Sequence, residues 1–222
     1  MTAFTVRLLG SAEIRDAAGR PSATSLHQPK RLGLLSYLAT ARPRGFHRRD
    51  KLVALLWPEA TQAQARHSLS QALHVLRSEL GDAAVKSRGD SDVALNDALI
   101  TCDVVDFERA VDDGDYEHAL ELYRGHLLDG LFIRDAPEFE RWLDDERTRL
   151  RERAAGAAWA RAHEHLGAGR LVEAERTAQR ALRLIGTDES EVRRFVQALA
   201  DAGGRAAALR FYEKFARRLR SE

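Results

Sequence analysis

His67, Ser70, Gln71 and His74 are the side chains whose types and spacing best suit chemistry in this 222-residue sequence. They recur at three- and four-residue steps, so on a helix they share one face. Ser78 extends that face, Arg66 and Arg77 flank it, and Glu79 is the only acid between Thr61 and Gly81. Imidazole, hydroxyl and amide groups exchange hydrogen bonds with base edges, and a face so poor in acids meets little repulsion in a DNA groove. Metal binding fails on geometry. His67 and His74 are seven residues apart, roughly 10 Å along a helix, too far to share one ion.

The element that must hold these residues is punctuated as a helix. Pro58 ends whatever precedes it, because it has no N–H and its ring clashes with the preceding turn. Thr61 and Gln64 have the spacing of a capping box, and Gly81 stands where a C-terminal cap is wanted. Ala65, Leu69, Ala72, Leu73, Leu76 and Leu80 form an apolar seam opposite the polar face. A helix of this kind is either a solvated surface element or a reader of nucleic acid. What surrounds it decides.

Other chemistry is missing. There is no phosphate loop, no Gly-x-Gly-x-x-Gly after a strand and no Gly-x-Ser-x-Gly elbow, so the sequence points to no enzyme and no cofactor. His163 and His165 are two apart and face different sides of a helix. Asp112-Asp113 and Asp144-Asp145 read as exposed helix ends, with no pocket expected to split their pKa values. Asp16 and Asp50 are not phospho-acceptors, since no doubly wound receiver precedes them. The single cysteine, Cys102, excludes an internal disulfide and a thiolate cluster, so no metal is expected.

Composition sets the class. Hydrophobic content of 44% and charged content of 31% describe a globular chain, and the net charge of +1 hides an asymmetry. The first hundred residues carry 14 bases against 9 acids, and the rest 21 against 25. A basic front suits a polyanionic partner. No apolar run approaches the roughly 18–20 residues of a membrane span, and Met-Thr-Ala-Phe-Thr-Val-Arg has no signal-peptide pattern, so a cytoplasmic location and no membrane partner are expected.

Around the polar helix, Phe4, Val6 and Leu8 alternate as a strand, Ala12 and Ile14 resume after Gly10, and Asp16 to Pro21 supplies a turn. A helix starts at Pro29 and buries Leu32, Leu34, Leu35, Tyr37 and Leu38. A second runs from about Arg48 to Trp57 and is separated from the polar helix only by a short turn, as in a helix-turn-helix. Val85-Lys-Ser-Arg88, a turn and Val93-Ala-Leu95 make a hairpin with a basic first arm. Strands, three helices and a hairpin spell a winged helix.

Leu8-Leu-Gly-Ser-Ala-Glu-Ile14, the helix Arg31 to Leu38, Arg49-Asp-Lys-Leu-Val-Ala-Leu-Leu-Trp-Pro58 and Ala65 to Arg77 resemble the antibiotic-regulatory-protein (SARP-type) bacterial activators. In these an OmpR-type winged helix precedes a bacterial transcriptional activation domain (BTAD). The resemblance covers nearly the whole chain and lies in the order of elements more than in any one motif. It implies that the Thr61–Leu80 helix enters the major groove while the hairpin touches the minor groove. One departure is Arg48, where relatives often carry a Ser or Thr that caps the helix before the reading helix.

Beyond Cys102 the chain reads as almost wholly helical, with Asp103 as an N-cap. Gly114, Gly169 and Gly203 are each followed five residues on by Ala119, Ala174 and Ala208, and four further by Tyr123, Ala178 and Tyr212. The second and third glycines are 34 residues apart, the tetratricopeptide period. The small alanine lets paired helices approach, and the later residue is expected to pack across the pair. An insertion follows the first unit, with Gly125-His-Leu-Leu and a long helix from about Pro137 to His165. Its Glu-Phe-Glu-Arg-Trp-Leu segment also resembles the activation domain. The run Arg147 to Arg153 reads as a solvated face. The tail ends in mid-helix character, so the sequence reads as the front of a longer regulator or as a short stand-alone member.

The expected architecture is mainly α. An α+β winged helix-turn-helix over residues 1–98 is followed by a tetratricopeptide-like all-α domain over 101–222. Arg66, His67, Ser70, Gln71, His74 and Arg77 are the expected base readers, with Arg66 and Arg77 equally able to hold a phosphate. Lys30, Arg31, Arg48, Arg49, Lys86 and Arg88 are the expected phosphate contacts. The resemblance implies a dimer on direct repeats near a promoter, touching RNA polymerase and its sigma factor. A second reading is a protein-interaction scaffold without sequence-specific DNA binding, because a fold does not fix a function.

Overall fold

Alternation of apolar residues at the start produces β1 (Phe4–Arg7), paired antiparallel with β2 (Glu13–Asp16). The computed structural model describes residues 4–21, 26, 28–185 and 189–220, so the first three residues of the N-terminal pattern and the final Ser-Glu lie outside the described residues. β6 (Ile100–Cys102) joins this sheet parallel to β1, giving the order β2-β1-β6. Only the β1–β2 pair is legible in the sequence, because β6 is three residues long and its partner lies almost a hundred residues away.

α1 (Pro29–Thr40) begins with proline at its first position, where the missing N–H is no loss. β3 (His47–Arg48) leads into α2 (Arg49–Leu56), and α3 spans Gln62–Leu80. Leu34, Leu35, Leu52, Leu56, Leu69, Leu73 and Leu76 are buried where the three helices meet. Burying one such leucine contributes roughly 1.5–3 kcal/mol. One 3-10 turn (Asp82–Ala84) then leads to β4 (Val85–Arg88) and β5 (Asp92–Leu95), an antiparallel hairpin that β3 extends in the order β3-β5-β4. This is a winged helix-turn-helix.

The chain forms two compact units, Met1–Glu108 with Arg124–Arg147, and Arg109–Tyr123 with Thr148–Glu222. They divide the chain differently from the expected boundary between residues 98 and 101. Several anchors hold residues 124–147 in the first unit. Gly10 N donates to His126 O at 2.9 Å and Leu128 N to Leu8 O at 2.8 Å. A Cβ on Gly33 of α1 would stand 2.6 Å from Ile133 and 3.1 Å from the Phe139 ring, so glycine permits that approach. Tyr37 packs on Trp142 with ring centres 4.8 Å apart.

The Arg147–Arg153 run is not the solvated face expected of it. Arg147 donates to the carbonyls of Leu127, Leu128 and Leu131 at 2.9, 2.8 and 3.4 Å. Arg149, Arg151 and Arg153 are also partly buried, and Arg153 pairs with Asp112 at 2.5 Å. Long aliphatic stems let arginine cover apolar surface while its head finds a partner. Asp103, expected as an N-cap, is the first residue of α4 (Asp103–Asp112), and its buried carboxylate accepts from the Leu8 and Leu9 amides at 2.8 and 3.0 Å.

The second unit is helical. α4 ends in it, followed by α5 (Tyr116–Leu122); α6 (Pro137–Gly167) passes into it from the first unit; α7 (Leu171–Ile185), α8 (Glu189–Asp201) and α9 (Arg205–Leu219) complete it. The repeat glycines 114, 169 and 203 fall between α4 and α5, α6 and α7, and α8 and α9, each at a left-handed φ of 76, 73 and 86°. That conformation reverses the chain at little cost only for glycine. Ala119, Ala174 and Ala208 are buried as expected, and so are Tyr123 and Ala178. Tyr212 breaks the pattern. It is 54% exposed, and its neighbour Phe211 enters the core at 1%, beside Phe195 with ring centres 5.0 Å apart. The inward face of α9 is Ala208, Phe211 and Phe215, a three-then-four spacing that turns Tyr212 outward. The whole is mainly α, a winged helix-turn-helix followed by helical hairpins. No described helix is long and apolar enough to cross a membrane.

Candidate nucleic-acid interface

α3 is positioned from both ends. The Thr61 hydroxyl accepts from Gln64 N at 3.4 Å while the Gln64 side-chain oxygen accepts from Thr61 N at 3.2 Å, a complete capping box. Near the other end Arg77 donates to Ser87 Oγ at 3.0 Å and to Val85 O at 3.4 Å. It thereby ties α3 to the first arm of the wing, so its guanidinium points at β4 and away from the outer face. The seam of Ala65, Leu69, Ala72, Leu73, Leu76 and Leu80 is buried. Its opposite side is consequently held outward.

His67, Ser70, Gln71 and His74 are all exposed on that side. Gln71 Nε2 lies 2.9 Å from His67 Nε2, one turn away. The amide nitrogen can only donate, so the imidazole nitrogen accepts. The two side chains are thus paired across one turn of the exposed face. Arg66 makes an exposed ion pair with Asp50 at 3.1 Å. Exposed pairs of this kind contribute about 0–1 kcal/mol, so a phosphate can displace the carboxylate.

The expected phosphate contacts surround this helix. Arg48 is exposed at the N-cap of α2 and makes no side-chain cap bond. Arg49 is partly buried, with its backbone N–H on Ser91 O at 2.8 Å and its Nε buried without a hydrogen-bond partner. A cleft of about 420 Å³ between α2, α3 and the wing turn is lined by Arg49, Asp50, Arg66, Ser70, Asp90 and Ser91. On the wing, Lys86 pairs with Asp97 at 3.4 Å, and Arg88 pairs with Asp92 at 3.5 Å while lying 4.7 Å over the Phe46 ring. At the start of α1, Lys30 pairs with Glu59 at 2.7 Å and lies 5.8 Å over Trp57, which holds the Glu59 carboxyl below its usual range. Arg31 beside it is partly buried. Such a surface offers amide, imidazole and hydroxyl groups in the centre and cations around the rim. Among the described residues no group of three or more His, Cys, Asp or Glu is placed to hold a metal.

Residues 102–222, more than half of the chain, match the family model of the bacterial transcriptional activator domain. The chain belongs to that family. The match bears out the resemblance to SARP-type activators and makes the protein a member of a transcriptional-regulator family. A solved structure, Mycobacterium tuberculosis EmbR in complex with a low-affinity phosphopeptide, is 22% identical with a TM-score of 0.48, over 100% of this chain and 66% of that one. The chain thus spans just under two thirds of the length of that protein. No curated protein matches.

Residues within the activator-domain match also stand beside α3, where the sequence pattern predicts none. Phe132, Ile133, Arg134 and Asp135 line a cleft of about 570 Å³ together with Lys30, Arg31, Trp57, Ser68 and Gln71. Nothing local in Gly130-Leu-Phe-Ile-Arg-Asp135 announces this. The signal is the glycine at 33, whose partner is 100 residues further on. Arg42 and Arg44, just past the end of α1, both pair with the buried Glu108 carboxylate.

Proposed function

We propose that this activator-family protein is a sequence-specific regulator of transcription that binds double-stranded DNA by inserting α3 into the major groove. The observation that carries this reading is the outward, acid-free face of His67, Ser70, Gln71 and His74, held opposite a leucine seam. These four side chains read base edges, with Arg66 reaching a base or a phosphate and Arg77 fixing the wing against the helix. Lys30, Arg31, Arg48, Arg49, Lys86 and Arg88 neutralise phosphates, which supplies most of the non-specific affinity. Residues 1–98 carry α3 and the wing, packed with residues 124–147, and residues 101–222 carry the activator-domain sequence. The family implies activation from a cytoplasmic dimer on promoter repeats, with contact to RNA polymerase and its sigma factor.

Fragments selected from genomic DNA by the full chain, followed by gel shifts across a salt series, test the reading. A selective complex is expected, with log K falling by about 0.9 per phosphate neutralised for each tenfold rise in salt. Gln71→Ala should cost about 1–3 kcal/mol on the selected site and little on random duplex. Equal binding to selected and scrambled duplexes would return the protein to the scaffold reading.

A further inference from the structure

The exposed face of α3 has a cleft on each side. A helix advances about 100° per residue, so Arg66 and Ser70 border one edge of the face while Ser68 and Gln71 border the other. The first edge opens on the cleft of Arg49 and Ser91, the second on the cleft of Lys30, Arg31 and Arg134. An α-helix with its side chains is about 10–12 Å across and the major groove about 12 Å wide. A helix in the groove therefore has one sugar-phosphate strand along each flank.

The wall of the second cleft is a fixed loop. Arg147 binds three of its carbonyls, Asp129 N donates to Gly10 O at 3.0 Å, and Ile133 N donates to Glu140 Oε1 at 2.7 Å. Ile133 and Ala136 are buried as pegs, while Phe132 just before them is 68% exposed and Arg134 between them is exposed. Arg134 makes no ion pair or hydrogen bond among the described residues. Asp135 also lines the cleft, and Glu59 is paired with Lys30. Three cations thus converge where the second strand would pass.

We propose that the Phe132–Arg134 loop is itself a DNA contact, made by sequence that belongs to the activator domain. Arg134 binds a phosphate of the strand along the Gln71 flank, and Phe132 lies on the adjoining deoxyribose. The proposal rests on the DNA-binding reading above and extends it to a fifth element beyond α3, the wing and the starts of α1 and α2.

The test uses the full chain on its selected duplex and on a scrambled one, with equilibrium binding across a salt series and hydroxyl-radical footprinting. Arg134→Ala should reduce the salt slope by ~1 and weaken both duplexes by a similar factor, with a larger loss for Arg134→Glu. Phe132→Ala should remove protection from sugars at one edge of the site, on one strand. Both side chains are exposed, so circular dichroism should show unchanged folding. Selective wild-type binding with slope and footprint unchanged in all three variants would overturn this proposal, leave the DNA reading intact and turn the loop toward a protein partner. A wild-type chain with no selective complex would overturn both.

Discussion

His47 is a buried imidazole with a structural task and a built-in pH dependence. Its backbone pairs with Val93, its ring meets Tyr37 edge-on at 5.2 Å, and its buried Nε2 has no hydrogen-bond partner. Burial first and the Lys51 charge second push its pKa below the ordinary 6.5. The unfolded chain therefore binds the proton more readily. The stabilisation is fully present above about pH 6.5 and is lost as pH falls from there through the lowered folded value. His47→Phe keeps a ring and removes the charge, so the gap in melting temperature between variant and wild type should widen as pH drops from 7.5 to 5. A constant gap would refute the assignment. Cys102 is the other buried titratable group with a clear consequence. Burial and the adjacent Asp103 carboxylate push its thiol pKa up, which leaves almost no thiolate. An aromatic disulfide reagent should label no thiol in the native protein and one per chain in denaturant.

At the scale of elements, α3 is the piece most fully written in its own sequence. Its cap, its seam and its polar face all follow from residues within one turn of each other, which is why Thr61, Gln64 and the leucines are legible without coordinates. Thr61→Ala removes the hydroxyl that receives Gln64 N–H and should cost about 1 kcal/mol by urea unfolding, with Thr61→Ser close to wild type. Equal midpoints for Thr61→Ala and wild type would show that the box contributes nothing. The repeat glycines were equally legible, because a left-handed turn narrows the choice of residue at one position. Less local features were not. Tyr212 depends on which of two adjacent aromatics α9 turns inward, and the Arg147 run depends on carbonyls 16 to 20 residues away. Charge patterning sees the run but not its partners. His67, Ser70, Gln71 and His74 lie exposed on one side of α3, as their spacing predicts, whereas the hold of Arg77 on β4 requires knowing where the wing lies.

For the whole molecule, the consequential fact is that residues 124–147 fold with the winged helix although they lie within the activator-domain match. A boundary near residue 100 is natural from the sequence, since the winged-helix elements end there and the helices begin. The compact units do not follow it. In a fragment of residues 1–98, α1 would lose Ile133, Phe139 and Trp142 from the side bearing Gly33 and Tyr37, β1 would lose β6, and Leu8 and Gly10 after it would lose their backbone bonds with Leu128 and His126. Exposing several large apolar groups at roughly 1.5–3 kcal/mol each is comparable with the whole stability of a small domain. Residues 1–98 should therefore unfold at a much lower urea concentration than residues 1–147, or show no cooperative transition. The longer fragment keeps every anchor of the first unit and should unfold in one step. If both gave the same midpoint, the 124–147 segment would be an ornament on an independent domain. A higher midpoint for 1–147 would mean that the activator sequence is structurally part of the winged-helix unit, so that a change felt by this segment reaches α3 through α1 without a separate relay.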